Sequence, residues 1–189
     1  MNDSPDWRSR RWAATHQRIF DAALLLFQQH GYDNVNVGQI AAAADVSVPT
    51  FYAHYASKDH VVMQLPTAEE IDGLVAALPG DLPLRERLKH APHIWVSSWS
   101  PEEHEATLVR WRIIAEVPGL RMRAAEFERT TAGLIADALR RQAGGTLSSA
   151  DGVVVQVFMA AFTAGVLSWA DCNGERKLEE LIDEAFEAL

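Results

Sequence analysis

Cysteine is almost absent from this chain: Cys172 is the only one in 189 residues. A lone thiol can form neither an intramolecular disulfide nor a cysteine-rich zinc site, and it suits a reducing compartment, where it reads as a small buried hydrophobe. Basic residues are scarce as well, with 17 Lys and Arg against 26 Asp and Glu and a net charge of −9. The deficit is uneven. Residues 1–60 hold five basic and six acidic side chains, a net of −1, whereas residues 61–189 hold twelve and twenty, a net of −8, and should avoid nucleic acid. The N-terminal MNDSPDWRSRRWAATHQ lacks the continuous apolar core of a signal peptide, so a cytoplasmic protein is expected. There is no Gly-x-Ser-x-Gly elbow and no phosphate-cradling glycine loop. A zinc-protease His-Glu-x-x-His is missing too, because His104-Glu105 is followed by Leu108 where the second histidine belongs. No catalytic residue is assigned, the chain is read as not an enzyme, and no cofactor or metal is expected. His90 and His93, three apart, with His104 and Glu103 or Glu105, form the one spacing that could suit a metal, and such spacing is frequent by chance.

Period-two alternation is absent over any useful length, and so are repeats and low-complexity tracts. What is present is helical periodicity with clear punctuation, which gives an all-α fold of about nine helices. Ser100-Pro101-Glu102-Glu103 is a start signal, with a capping serine, a proline at the first helical position and a glutamate three residues after the cap. That helix should run to about Glu116. Pro118-Gly119 forces a break, and the next long helix should end at Gly144-Gly145. Ser148 caps the following helix, Asn173-Gly174 closes it, and Leu178, Leu181, Ile182, Ala185 and Phe186 outline a final amphipathic helix. Upstream, a helix starting at Ser57-Lys58 is interrupted at Pro66, and Pro79-Gly80-Asp81 separates it from the next, in which Pro92 should introduce a kink.

The most informative segment runs from Thr15 to Leu65. Ile19, Ala23, Leu26 and Phe27 recur at helical spacing up to Gly31, a short helix carries Ile40 and Ala43, and a bend at Asp45-Val46-Ser47 leads into Val48-Pro49-Thr50-Phe51-Tyr52-Ala53-His54-Tyr55. Ser47 can cap that helix, and Pro49 sits in its first turn, where a missing N–H does least harm. Helix, short helix, bend and short helix make a helix-turn-helix, whose last helix fits the major groove.

IFDAALLLF, HGYDNVNV, QIAAAADVS, TFYAHY and SKDHV, in this order and spacing, resemble the DNA-binding domain of the tetracycline-repressor (TetR) family of bacterial regulators. The resemblance implies that Thr50, Tyr52, His54 and Lys58 face DNA, the last three mainly at phosphates, while Phe51 and Tyr55 pack the core. Phosphate contacts position the protein, and base contacts specify the sequence. Three positions depart from the family's habit. Asp45 stands where glycine is usual in the turn, and Gly38 and Val48 stand where cations are common. Asp tolerates left-handed backbone better than most residues, and Val48 beside Pro49 could touch a thymine methyl group. Four of the five cations before residue 60 are Arg8, Arg10, Arg11 and Arg18, so Arg11 joins the expected DNA-contacting set and the positive field should come from the first helix.

Two domains are expected, residues 1–58 for DNA and residues 59–189 for ligand binding and dimerisation. The run VVVQVFMAAFTAGVLSWA, Val153–Ala170, has no charge and at 18 residues reaches the lower limit of a membrane span. Asp151 and Asp171 bracket it without close basic flanks, so it reads as a helix buried against its own domain and a second subunit, giving a homodimer through the last two helices with no membrane contact. Trp95 and Trp99, four apart, share a face, and with Trp111, Phe127, Phe158 and Phe162 they could line the effector cavity that the family resemblance implies, although any one of them taken singly is more often ordinary core than a ligand contact. His93, Thr107, Arg110, Arg112, Thr130 and Thr131 are the polar groups near them. The stretch VPGLRMRAAEFERTTAGLIADALRRQAGG resembles a subgroup whose effectors are acyl-CoA-like, and an aromatic effector is the other class considered. The reading is therefore a ligand-responsive transcriptional regulator, a repressor released from a palindromic operator by a small apolar molecule. Its alternatives are a helical partner-binding module without DNA affinity and a metal-dependent or other enzyme.

Overall fold

The computed structural model describes residues 5–188, and among them every regular element is a helix, ten in all. The chain divides into two compact units, Met1–Gln64 and Leu65–Leu189. The first contains α1 (Pro5–His30), α2 (Val37–Ala43), α3 (Val48–His54) and α4 (Lys58–Val62). Ile19, Phe20, Ala23, Leu24 and Phe27 form the buried line of α1, and Ile40 of α2, Phe51 of α3 and Val61 of α4 complete a small core. Each boundary has a local cause. Gly31, at φ +78°, ends α1 with its N–H donating to the Phe27 carbonyl at 2.9 Å. Asn36 and Gln39 form a reciprocal capping box on α2. Asp45 takes φ +51° between α2 and α3, the left-handed turn expected of it. The Ser47 hydroxyl then accepts the Thr50 N–H at 3.1 Å.

The second unit contains α5 (Ala68–Ala77), α6 (Leu84–Ser97), α7 (Pro101–Glu116), α8 (Pro118–Gln142), α9 (Ser149–Asp171) and α10 (Leu178–Glu187). Thr67 with Glu70 and Ser100 with Glu103 make capping boxes on α5 and α7, and the Ser148 hydroxyl accepts the Asp151 N–H. The central helix is α9, which α6, α7, α8 and α10 all pack against. It is the one helix among the described residues long and apolar enough to cross a membrane, and half of its most apolar window is buried within the chain. Its closest approach is at Gly165, where an added Cβ would lie 2.7 Å from Ile182 Cγ1 and 2.8 Å from Ile182 Cα, so glycine lets α10 sit directly on α9.

Two expectations need correction. The described residues form ten helices where about nine were expected, because the interruption at Pro66 separates two helices rather than breaking one. α4 stops at Val62, and Thr67 caps a separate α5. Pro66 has no N–H to donate, and its ring disfavours helical backbone at the preceding residue. The first helix also reaches back to Pro5, well before the apolar line that revealed it.

Candidate nucleic-acid interface and effector-binding region

The α3 helix divides its residues between inside and outside as a groove-reading helix must. Phe51 and Tyr55 are buried, Val48 and Tyr52 are exposed at 40% and 54%, Pro49 and Ala53 are also exposed, and Thr50 is half-buried. The Thr50 hydroxyl lies 2.7 Å from that of Ser47, which uses one of its three hydrogen-bond directions and leaves capacity for an outside partner. Tyr52 stands edge-on to the Phe51 ring at 5.5 Å, so its phenol is carried on the core but points out.

Lys58 is engaged within the domain. Its ammonium donates to the backbone carbonyls of Tyr32 at 2.8 Å and Val35 at 2.9 Å and lies 4.0 Å from the centre of the Tyr32 ring. These bonds tie the start of α4 to the link between α1 and α2. The Tyr32 hydroxyl donates to Asp59 at 2.5 Å across the same seam.

His54 belongs to a ring cluster with α1. Trp12 stacks on His16 at 4.7 Å and lies 4.9 Å from His54; the two imidazoles are 5.7 Å apart, and His16 stacks on Tyr55 at 4.1 Å. The Tyr55 hydroxyl donates to the His16 carbonyl at 3.2 Å. Both Nδ1 atoms are buried without a hydrogen-bond partner in the chain. Burial lowers the pKa of His16, with the neighbouring His54 adding to it, and burial lowers that of His54. Arg11 is exposed on α1, one residue from Trp12. Trp12 and His16 escape a sequence reading as partners of the recognition helix because they join residues about 40 apart in sequence and no local spacing reports it.

In the second unit the six aromatics singled out fall into two groups. Trp95 meets Trp99 edge-on at 4.5 Å and Phe162 at 5.4 Å, and Phe162 stacks near Phe158 at 6.4 Å. Trp169, His104 and Phe186 extend this group: Trp99 lies 6.5 Å from Trp169, His104 lies 5.0 Å from Trp169, and Phe158 stacks on Phe186 at 5.2 Å. Trp111 and Phe127 form the second group, edge-to-face at 5.8 Å. Trp111 and Phe158 are buried, whereas Trp95, Trp99, Phe127 and Phe162 are half-buried.

Of the polar groups, His93 pairs with Asp183 at 3.0 Å, Arg112 with Glu116 at 3.7 Å, and the Thr130 hydroxyl with the Glu126 carbonyl at 2.9 Å. Trp111 Nε1, Thr131 Oγ1 and Thr163 Oγ1 are buried with no partner in the chain, and each is a donor that an oxygen-bearing ligand or water could satisfy. Among the described residues no three His, Cys, Asp or Glu side chains gather as metal ligands.

Residues 19–65 match the sequence profile of bacterial regulatory proteins of the tetR family, and residues 82–189 match that of the MftR C-terminal domain. The chain is 28% identical over 138 residues to MftR of Mycobacterium tuberculosis, named for the regulation of mycofactocin biosynthesis, an alignment covering 72% of this chain and 69% of that protein. It is 36% identical over 76 residues to the HTH-type transcriptional regulator TcmR of Streptomyces glaucescens, covering 40% of this chain but only 33% of the relative. The transcriptional regulator FadR of Bacillus subtilis, solved in complex with stearoyl-CoA, shares the fold at a TM-score of 0.55 and 17% identity, over 90% of this chain and 95% of that one.

Proposed function

The chain belongs to the TetR family of bacterial transcriptional regulators, and from that membership we propose that it is a dimeric repressor released from a palindromic operator by a small, largely apolar effector. The observation that carries the DNA half is the division of α3, with Phe51 and Tyr55 inside and Val48, Pro49 and Tyr52 outside. Two such helices related by a twofold axis would read half-sites one helical turn or a multiple apart. Val48, Pro49 and Thr50 are the candidates for base edges, Arg11, Tyr52 and His54 for phosphates, and Lys58 supports the site from behind. The protein works in the cytoplasm, where its DNA is.

The dimer reading rests on α9. Its outward residues Val153, Val157, Ala160 and Ala164 are exposed along one stripe, with Val153 at 62% and Val157 at 38%. Small side chains on such a stripe let a second helix approach closely. α10 contributes less than its amphipathic pattern promised. Leu178, Leu181, Ile182 and Phe186 are buried within the subunit, and Glu180, Glu184 and Glu187 face outward. Phe162 faces Trp95 and Phe158 rather than the stripe, so Ala160→Glu is the sharper variant: a charge buried at the interface without a partner costs several kcal/mol and should give a monomer.

The effector reading rests on the half-buried aromatics Trp95, Trp99, Phe127 and Phe162, with the unpartnered Trp111 and Thr131 atoms as polar anchors. FadR's stearoyl-CoA supports an acyl-CoA-like effector as the first class to try, ahead of an aromatic one. The test is a gel shift with the gene's own upstream region, run with and without long-chain acyl-CoAs. A shift abolished by Tyr52→Ala and Ala160→Glu and relieved by an acyl-CoA is expected. A dimer that binds no DNA would leave the partner-binding module in its place.

A further inference from the structure

Every residue from Trp7 to Ala14 is exposed, although all lie on α1, and the inward line of that helix begins only at the half-buried His16 and the buried Ile19. These two turns add no buried side chain to the core, and the packing of Trp12 on His16 and His54 is what fastens them to the recognition helix. Their chemistry is of one kind. Residues 7–18 contain four arginines and no acid, in a chain of net charge −9.

Arg8, Arg11 and Arg18 fall at i, i+3 and i+10, with Thr15 between at i+7, and this spacing puts them on one face of the helix. Trp12, one turn beyond Arg8 and 52% exposed, lies on His16 and His54 and so joins this stretch to the end of the recognition helix. The remaining cation of the first 60 residues, Lys58, has its ammonium engaged with the Tyr32 and Val35 carbonyls. Gly38 and Val48 bring no charge to the other usual positions. The positive charge left for phosphates is thus on α1.

We propose that the first four turns of α1 are a second DNA-contacting element, in which Arg8, Arg11 and Arg18 grip the sugar–phosphate backbone while Trp12 docks the helix on His54. The arginine face spans about 15 Å along the helix axis, enough to follow several phosphates of one strand beyond the recognition helix's own reach. The partner is duplex DNA because the stripe is positive and continues from the groove-reading helix. This inference rests on the DNA reading above and adds the source of its electrostatic affinity.

Counterion release gives the test. Each neutralised phosphate contributes about 0.9 to the slope of log affinity against log salt, whatever the base sequence. Binding to a labelled mixed-sequence duplex of about 30 base pairs, several helical turns, is measured by anisotropy over a salt series. The triple variant Arg8→Ala, Arg11→Ala, Arg18→Ala should flatten the slope by about 0.9 for each phosphate no longer neutralised, and the matching lysine triple should keep it. Trp12→Ala should lower affinity several-fold, and Trp12→Phe should restore most of it. A folded alanine triple with the wild-type slope overturns the proposal, as would arginines that govern binding to anionic phospholipid vesicles while leaving the DNA slope unchanged. Wild-type protein that binds no duplex at any salt refutes the DNA reading itself, a result distinct from an unmoved slope.

Discussion

His16 and His54 are two imidazoles 5.7 Å apart with their Nδ1 atoms buried and unpartnered, held between Trp12 and Tyr55. Both pKa values lie below the ordinary 6.5, so the folded state prefers them neutral. Protons then bind the unfolded chain more readily, and the stability this cluster contributes is complete above pH 6.5 and is lost as pH falls from there through the depressed folded values. Urea midpoints of the DNA-binding unit should therefore fall between about pH 7.5 and 5, above the range where ordinary carboxylates titrate, and the double variant His16→Phe, His54→Phe should flatten that fall. An equal decline in the variant would assign it to other groups. At this scale the sequence is legible where the cause is local. Asp45 is readable as a left-handed residue because its side chain alone makes that backbone tolerable. Lys58 is not, since its carbonyl partners Tyr32 and Val35 belong to another segment and only folding brings them within reach.

Among the elements, starts and stops are readable wherever a cap and a breaker coincide, as at Ser100-Pro101 and at Gly144, which takes φ +77°. Residues 7–14 do not announce themselves as part of α1 because they carry no apolar period, and helix-favouring alanine and arginine give the weaker signal. The direction in which α10 spends its apolar face is equally hidden: periodicity shows that a face exists, not which neighbour takes it. Gly165 is where that choice is enforced. In Gly165→Ala the new methyl would meet both the side chain and the Cα of Ile182, so overpacking should cost about 1–3 kcal/mol. Ile182→Ala removes only the Cγ1 clash and leaves the backbone of residue 182 still 2.8 Å from the added methyl, so the double variant should recover part of the difference and no more. Thermal melts of the four proteins in a mutant cycle check this, and full recovery would mean that α10 shifts freely on α9.

For the molecule as a whole, charge already separates the two roles, with −1 on residues 1–60 and −8 on residues 61–189, so the second part is the one that phosphates repel more strongly. Its six tryptophans divide the same way. Trp7 and Trp12 belong to the unit ending at Gln64, and Trp95, Trp99, Trp111 and Trp169 to the other. DNA binding should therefore be reported by Trp12 and effector binding by Trp95 and Trp99, which are half-buried, whereas Trp111→Phe, at 2% exposure, should act first on stability. Coupling between the sites must be reciprocal. An effector that lowers operator affinity tenfold is itself bound tenfold more weakly by the DNA complex, a coupling of about 1.4 kcal/mol. Titrating a long-chain acyl-CoA into free protein and into the DNA complex, with Trp95→Phe and Trp99→Phe variants to identify the signal, measures both sides of that cycle. Equal affinities in the two titrations would mean that the bound molecule does not control DNA binding, however tightly the aromatic group holds it.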